Sequence, residues 1–542
     1  MWTRLLASLG VAVSLFVRAT TFLVFTITIP TGVGAQWEPD GVQLVTGMTL
    51  EDLRIVSDGS SGAIVMWRDA RTYQYWQISA QHMTSAWLPT WTTNGVDVVG
   101  PTRNTSDPQA ISDGNGGAIV IFRSEGGSSP MYAQRINASG TTLWGTGGVQ
   151  LTTRGFHPAI EPDASGGAII AWNGDPFVRV QRIDADGTKL WGAEGVTTQL
   201  FASFPVLAGD GAGGAFISST DYGECQRIAA DGTFQWPSLK YVGRVMTPDL
   251  AGGIFSVGTN GTCCWGSARH LTSTNVDQWG QEGILLQGEG PYLYFNTTVI
   301  ADRAGGAIIL WRGGNTLTTY AQRVDSSGAV VWPENGVPIA TNVTEVPPVA
   351  IPDSDHGVIT VWSDVRQGHP GDVYAQRIDS SGNMCWGMPG LALCDADSSQ
   401  YGPVAVSDGL GGAVVAWYDL RPATPWPPSI YALRVLASGA ISTSIGPPSS
   451  RFLSVGNVFP NPSDNAAEIT YELSQATNVT MEVFDATGRR LRVDHLGLQP
   501  AGSQTYRYDG LDRLNHRLPS GVYFLRLHTE QGSVTRKLVL TR

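Results

Sequence analysis

The chain has 542 residues, a formal net charge of −12 and only 15% charged residues, with 66 glycines and 18 tryptophans. An acidic chain without a Lys/Arg cluster offers no basic face for phosphate, which excludes a nucleic-acid partner. Abundant glycine and aromatic residues around short apolar runs mark an all-β protein with many tight turns, and the length allows more than one domain.

Residues 1–35 read as a secretory signal. Arg4 supplies the positive start, Leu5 to Val17 is an apolar run, and Val33-Gly34-Ala35 forms a small-residue cleavage site before Gln36. Arg18 interrupts the segment, and a retained membrane anchor is the competing reading. Past Ala35 no continuous apolar stretch of about 20 residues occurs, so no membrane span is expected after signal cleavage.

Residues 36–446 repeat. Eight times an Asp is followed four residues later by a Gly that opens a short apolar run: Asp58/Gly62, Asp113/Gly117, Asp163/Gly167, Asp210/Gly214, Asp249/Gly253, Asp302/Gly306, Asp353/Gly357 and Asp408/Gly412. The seven intervals from Asp58 to Asp408 average 50 residues, and a period of that size is the mark of a repeat architecture. The unit from Ser112 to Leu151 shows the parts. Its Asp-x-x-Gly-Gly stretch is turn chemistry, with Gly supplying positive φ and Asp bonding the backbone two residues on. Ala118 to Phe122 reads as a strand buried on both faces, and Met131 to Ile136 alternates. Asn137-Ala-Ser-Gly140 turns again, and Leu143 to Leu151 is extended. With the short segment before each Asp, every repeat holds four strands, which predicts a β-propeller.

Most repeats end in Trp-x-x-x-Gly and an aliphatic residue: Trp91/Gly95, Trp144/Gly148, Trp191/Gly195, Trp279/Gly283, Trp332/Gly336 and Trp386/Gly390, while Trp236 lacks the Gly. The eighth repeat has no such signature after Gly439; the missing piece stands at the other end, as Trp37 to Val42. The expectation is an eight-bladed propeller closed by its N-terminal strand, because an open ring would leave a bare sheet edge. The Trp rings are expected between neighbouring blades, each burying about 150–250 Å². Repeats four and five are the least regular, with Ser219 and Gly258 where Trp67, Phe122, Trp172, Trp311, Trp362 and Trp417 stand elsewhere.

Two sets of recurrent charges are candidates for function. Strand three carries Arg135, Arg182, Arg227, Arg323, Arg377 and Arg434, with His82 and His270 in the other two repeats. These groups either form a positive collar around the channel or fork onto carbonyls or an Asp of their own blade, as buried guanidinium groups must be paired. Trp-x-Asp-x-Arg recurs after strand two, giving the candidate binding residues Asp69, Arg71, Asp364, Arg366, Asp419 and Arg421 on loops of one rim. The plainer reading is local salt bridges that brace those loops. No Gly-x-Ser-x-Gly elbow, His-Glu-x-x-His or phosphate loop occurs, and the histidines show no metal-ligand spacing, so no catalytic residue, metal or cofactor is expected. The Asp turns read as β-turns rather than calcium sites. Of five cysteines, Cys385 and Cys394 are near enough along the chain to pair, Cys263 and Cys264 are adjacent, and Cys225 lies a repeat earlier; no disulfide framework is implied.

The segment Asp184-Ala-Asp-Gly187-Thr-Lys-Leu-Trp191 resembles the tryptophan-docking motif of eight-bladed quinoprotein dehydrogenases, one residue shorter between Asp and Gly. Cys263-Cys264 is similar to the vicinal disulfide over the quinone in some of those enzymes. No set of acidic and amide residues for calcium and quinone accompanies these features. An extracellular hydrolase or quinoprotein-like enzyme, with its site in the propeller channel, is therefore the alternative function.

After a linker at 447–451 the pattern changes. Residues 452–542 contain Val458-Phe-Pro-Asn-Pro462, Ile469-Thr-Tyr-Glu-Leu473, Val479 to Asp485, Ser520-Gly-Val-Tyr-Phe524 and Arg536-Lys-Leu-Val-Leu540. Alternating strands between turn residues predict a β-sandwich. This segment resembles the immunoglobulin-like domain related to the flagellar hook-capping protein and the C-terminal sorting domains of bacterial type IX secretion cargo. The resemblance implies a bacterial, secreted or cell-surface protein whose C-terminal domain engages the secretion machinery. The expected function is binding of an extracellular ligand, polysaccharide or protein, by the propeller.

Overall fold

The computed structural model describes residues 40–46, 48–71, 75–84, 89–100, 103–201, 204–259, 266–286, 297–313, 318–340, 348–365, 371–421, 428–441, 453–459, 463, 466–473, 477–485, 489–500, 502–513, 516–529 and 532–541. The signal segment, Trp37, Cys263, Cys264, Arg366 and the linker lie outside these residues.

All regular elements among the described residues are β-strands. As far as residue 441 they group into eight four-stranded antiparallel sheets, numbered here in chain order. Sheet two shows the plan, with strands Thr105–Ser112, Ala118–Ser124, Met131–Ile136 and Val149–Thr152 in sequential order. The second strand is β-branched and aromatic because it lies inside its sheet and is covered on both faces: Ala118, Ile119, Val120, Ile121 and Phe122 are all buried.

Sheet eight is assembled from both ends of this region. Gln400–Ser407, Ala413–Asp419 and Ser429–Val435 are joined by Val42–Val45, with Val42 opposite Ala432 and Val45 opposite Ile430. Gln43 Nε2 donates to Ser429 Oγ at 3.1 Å, and the Ser429 hydroxyl donates to Thr46 Oγ1 at 3.1 Å. First strands of successive sheets pack against one another, and Leu50–Ser57 of sheet one also packs against Gln400–Ser407 of sheet eight. One continuous apolar core runs through sheets seven, eight and one, containing Leu44, Val45, Trp67, Val361, Trp386 and Trp417.

Sequential antiparallel order gives each sheet two distinct ends. Connections from strand one to two and three to four share the first, called here the turn end. Connections from strand two to three, and from sheet to sheet, share the other, the loop end. The turn end is uniform, whereas the two-to-three connection ranges from residues 174–176 in sheet three to 420–428 in sheet eight.

The C-terminal segment forms two further sheets. Leu453–Phe459, Ala467–Leu473 and Gly502–Tyr508 make one; Arg490–Gln499, Thr477–Asp485, Gly521–Thr529 and Gly532–Leu540 make the other. Alternate residues of Thr477–Asp485 are buried, and Val479, Met481 and Val483 join Ile469, Leu525 and Leu538 in one core. Among the cysteines, Cys385 is exposed, Cys225 and Cys394 are buried, and all three are free thiols, so Cys385 and Cys394 do not form the bridge that their spacing allows.

Deleting residues 36–46 removes buried Leu44 and Val45 and leaves Ser429–Val435 as a bare edge. Scanning calorimetry is expected to show the thermal midpoint lowered by roughly 10 °C. An unchanged midpoint would show that the N-terminal strand adds nothing to sheet eight.

Candidate functional site

At the turn end, the recurrent Asp builds the turn. Asp58 N–H donates to Gly62 O, and Asp58 Oδ1 accepts from the N–H groups of Ser60 and Gly62 at 2.7 and 2.8 Å. A Cβ at Gly62 would collide with the Asp58 carboxylate and the Met83 carbonyl, so this position excludes every other residue. The Asp-to-Gly bond recurs in all eight sheets.

The second carboxylate oxygen meets the basic residue of strand three. His82, Arg135, Arg182, Arg227, His270, Arg323, Arg377 and Arg434 stand 2.6–3.0 Å from Asp58, Asp113, Asp163, Asp210, Asp249, Asp302, Asp353 and Asp408. Of the two readings of these cations, pairing within the sheet is the one observed. Burial opposes ionisation of Asp58 and Asp249, but the histidine and two backbone N–H groups outweigh it and hold both carboxyl groups below the usual range.

The same arginines reach the next sheet. Arg135 Nη1 and Trp144 Nε1 donate to one carbonyl, Ala185 O, at 2.8 and 3.2 Å. Arg182 and Trp191 share Ala230 O, Arg323 and Trp332 share Ser380 O, and Arg377 and Trp386 share Ala437 O. In the two sheets with His, the indole makes this turn-end bond without a strand-three partner among the described residues: Trp91 to Ala138 O and Trp279 to Ser326 O. Sequence reasoning overlooked the residue before the basic one. Gln134 Oε1 accepts from the N–H groups of Arg135 and Trp144, while its Nε2 donates to Gly145 O. The recurrence of Gln81, Gln134, Gln181, Gln226, Gln322 and Gln376 was the available signal.

Arg323→Met leaves buried Asp302 without a cation and without the link to Ser380. The expected loss of stability is about 3 kcal/mol, against about 1 kcal/mol for Trp332→Phe, which removes one hydrogen bond and some packing. Denaturant unfolding of both variants checks the order; equal or reversed losses would refute it.

At the loop end, Asp69, Asp364 and Asp419 are the last residues of second strands and are fully buried, rather than lying in the loops themselves. They belong to sheets one, seven and eight, which are neighbours. Each accepts the indole N–H two residues earlier, from Trp67, Trp362 and Trp417 at 3.0, 2.8 and 3.0 Å. Arg71 forks onto Asp69 at 2.9 and 2.7 Å and donates to Asn94 O. Arg421 forks onto Asp419, donates to Asp40 O at 2.6 Å and lies 4.1 Å over the Tyr431 ring.

A cleft of about 690 Å³ opens at the turn end where sheets three, four and five meet, lined in part by Glu161, Asp210, Arg227, Leu250 and Ser273. Glu161 replaces the Val56, Ile111, Ala208, Thr247, Ile300, Ile351 and Val406 of the other first strands. Desolvation pushes its carboxyl up to about 7, with the Gly209 N–H as the opposing influence. Asp210 on the same wall is committed to Arg227. Among the described residues no group of three His, Cys, Asp or Glu comes together as a metal site.

A carboxyl raised from 4.5 to about 7 holds its proton in the folded chain over a window where the unfolded chain has lost it. Its contribution to stability therefore falls as pH rises through that window and is flat above it. Glu161→Gln should raise the thermal midpoint by roughly 2–4 °C at pH 8 and leave it nearly unchanged at pH 4. An equal shift at both pH values would refute the assignment.

Comparison with solved structures returns low similarity. Virginiamycin B lyase from Staphylococcus aureus, a catalytically inactive variant with quinupristin, is 13% identical over 59% of this chain and 94% of its own, with a TM-score of 0.36. A protein of unknown function from Dyadobacter fermentans is 9% identical over 73% of this chain and 98% of its own, at 0.34. PorZ, a surface component of the type IX secretion system of Porphyromonas gingivalis, is 9% identical over 92% of this chain and 82% of its own, at 0.22. None of these likenesses is close enough to carry a function. No curated protein matches the chain. Residues 457–541 match the family model of the secretion system C-terminal sorting domain, which marks the chain as a secreted, cell-surface protein exported by type IX secretion.

Proposed function

We propose that residues 36–446 form a closed eight-bladed β-propeller that recognises an extracellular ligand, delivered by an immunoglobulin-like sorting module at 452–542 after removal of a signal at 1–35. The observation that carries this reading is the inequality of the two ends. At the turn end the recurrent charged groups are consumed in pairs that hold sheets together. At the loop end connections differ in length from sheet to sheet, on a scaffold that is otherwise repeated. Variable loops on a rigid frame are where binding is built. The Asp69/Arg71 and Asp419/Arg421 pairs then brace the loops of the binding rim, and Asp364 holds the same strand-end place in sheet seven. Pairing of Val42–Val45 with Ser429–Val435 supports closure. The enzyme alternative would draw on Glu161, but Asp210, the other carboxylate of that cleft, is neutralised by Arg227, which favours recognition over acid–base chemistry.

Two measurements test the proposal. Removing residues 452–542 should leave the protein inside the cell of origin, and normal surface delivery of the truncated form would refute the sorting role. The secreted chain on a combined glycan and peptide array should bind members of one class; binding to neither would refute recognition.

A further inference from the structure

The exposed large apolar side chains at the loop end of sheets three and four differ in kind from those of the turn end. At the turn end they are aliphatic and recur just ahead of the Trp positions, as Leu143, Leu190, Val276 and Val330 do. At the loop end of sheets three and four they are aromatic: Phe201, Phe204 and Tyr222 are 56%, 52% and 57% exposed. These rings are not part of the repeat. The fourth strand of sheet three, Val196–Phe201, has 6 residues against 4 in Val149–Thr152, and the extension ends in Phe201, in register with Phe177. Tyr222 lies in the two-to-three connection of sheet four, and Phe204 leads into the first strand of that sheet.

The rings make two contacting sets, Phe177 with Phe201 and Tyr222, and His157 with Phe204. Phe177 and Phe201 have centroids 5.3 Å apart, Phe201 and Tyr222 6.3 Å, and His157 and Phe204 4.1 Å. Beside them, in the same sheet, Phe156 lines a hollow of about 390 Å³ with Asn173, Asp175 and Pro176. Arg154 and Asp175 pair at 3.3 Å, both more than half exposed, and Arg123 and Arg154 lie 5.6 and 5.9 Å from the Phe156 ring.

Leaving a Phe or Tyr ring in water forgoes about 1.5–3 kcal/mol relative to burial, so a non-repeating group of them marks a contact surface. Its composition selects the partner. The exposed apolar groups here are flat rings without Leu, Ile or Met, and the polar groups beside them are planar amide, carboxylate and guanidinium. A pyranose presents the matching chemistry: a flat face of C–H bonds that stacks on a ring, edged by hydroxyls that bond to planar polar groups. The Arg154–Asp175 pair adds no net charge, which fits a neutral chain.

We propose that the aromatic loop end of sheets three and four binds a neutral polysaccharide. This rests on the recognition reading above and names the class of its ligand. The test is affinity electrophoresis of the secreted chain through gels containing mixed-linkage β-glucan, xylan or galactomannan. Retardation is expected in at least one gel. Phe201→Ala with Tyr222→Ala should weaken it by about tenfold or more, with the thermal midpoint unmoved because both rings are exposed; Tyr222→Phe should retain most of the binding. Migration unaffected by all three polysaccharides, or equal retardation of the double variant, would overturn the proposal. Peptide-array binding combined with unretarded migration would overturn it too, while leaving recognition itself standing.

Discussion

A buried carboxylate has to be paired, and in five sheets the arginine that pairs it also bonds a carbonyl of the following sheet. Asp302 is 1% exposed, and its desolvation would cost several kcal/mol if Arg323 were absent. The arginine meets it with Nε and Nη2 and still has a donor left for Ser380 O in the following sheet. Trp332 delivers its indole N–H to the same carbonyl. One residue pair thus satisfies a turn, a strand and an interface between sheets. Each sheet would otherwise be a four-stranded ribbon with one apolar face uncovered.

This shared duty explains why the turn end hardly varies. Replacing the Asp strands a buried guanidinium, replacing the Gly pushes a Cβ into a carbonyl, and replacing the basic residue opens the link to the next sheet. His82 and His270 keep the carboxylate paired but lack the second reach, and the corresponding Trp makes the turn-end bond without a strand-three partner among the described residues. Freedom to change is left to the other end, where the two-to-three connections differ in length from sheet to sheet. Arg71 and Arg421 tie two of those connections by forking onto carboxylates at strand ends.

The periodic contacts were legible because repetition amplifies them: one Asp–Gly pair means a turn, and eight recurring at a mean of 50 residues mean an architecture. The displacement of the Trp series likewise pointed to the N-terminal segment from Trp37 to Val42 as the strand missing from the eighth repeat, and Val42–Val45 pairs with Ser429–Val435. Trp67 and Asp69 were legible only in part. Two residues apart on a strand they share a face, so the indole–carboxylate bond follows from the period, yet the motif alone put Asp69 in a loop. Cys385 and Cys394 are close in sequence but divided by burial. Glu161 and the aromatic group of Phe201 and Tyr222 gave no repeat signal, since each draws on more than one sheet and appears once.

The Trp-x-Asp-x-Arg motif is confined to sheets seven, eight and one, and these are the sheets whose apolar core is continuous. Sheet eight depends on a contact between residues 386 apart in sequence, Gln43 and Ser429, so its last strand pairs only after nearly the whole repeat region exists. Loop closure over that distance is slow, and until it happens Ser429–Val435 is an open edge. Extra fastening belongs there. Arg421 supplies it by bonding Asp40 O at the head of the N-terminal strand while forking onto Asp419, and Tyr418 supplies more by accepting the Leu53 N–H of sheet one at 2.8 Å. Of the residues that read as a ligand site in sequence, Asp419 and Arg421 thus hold the two ends of the repeat region together, while Asp69 and Arg71 bond within sheet one.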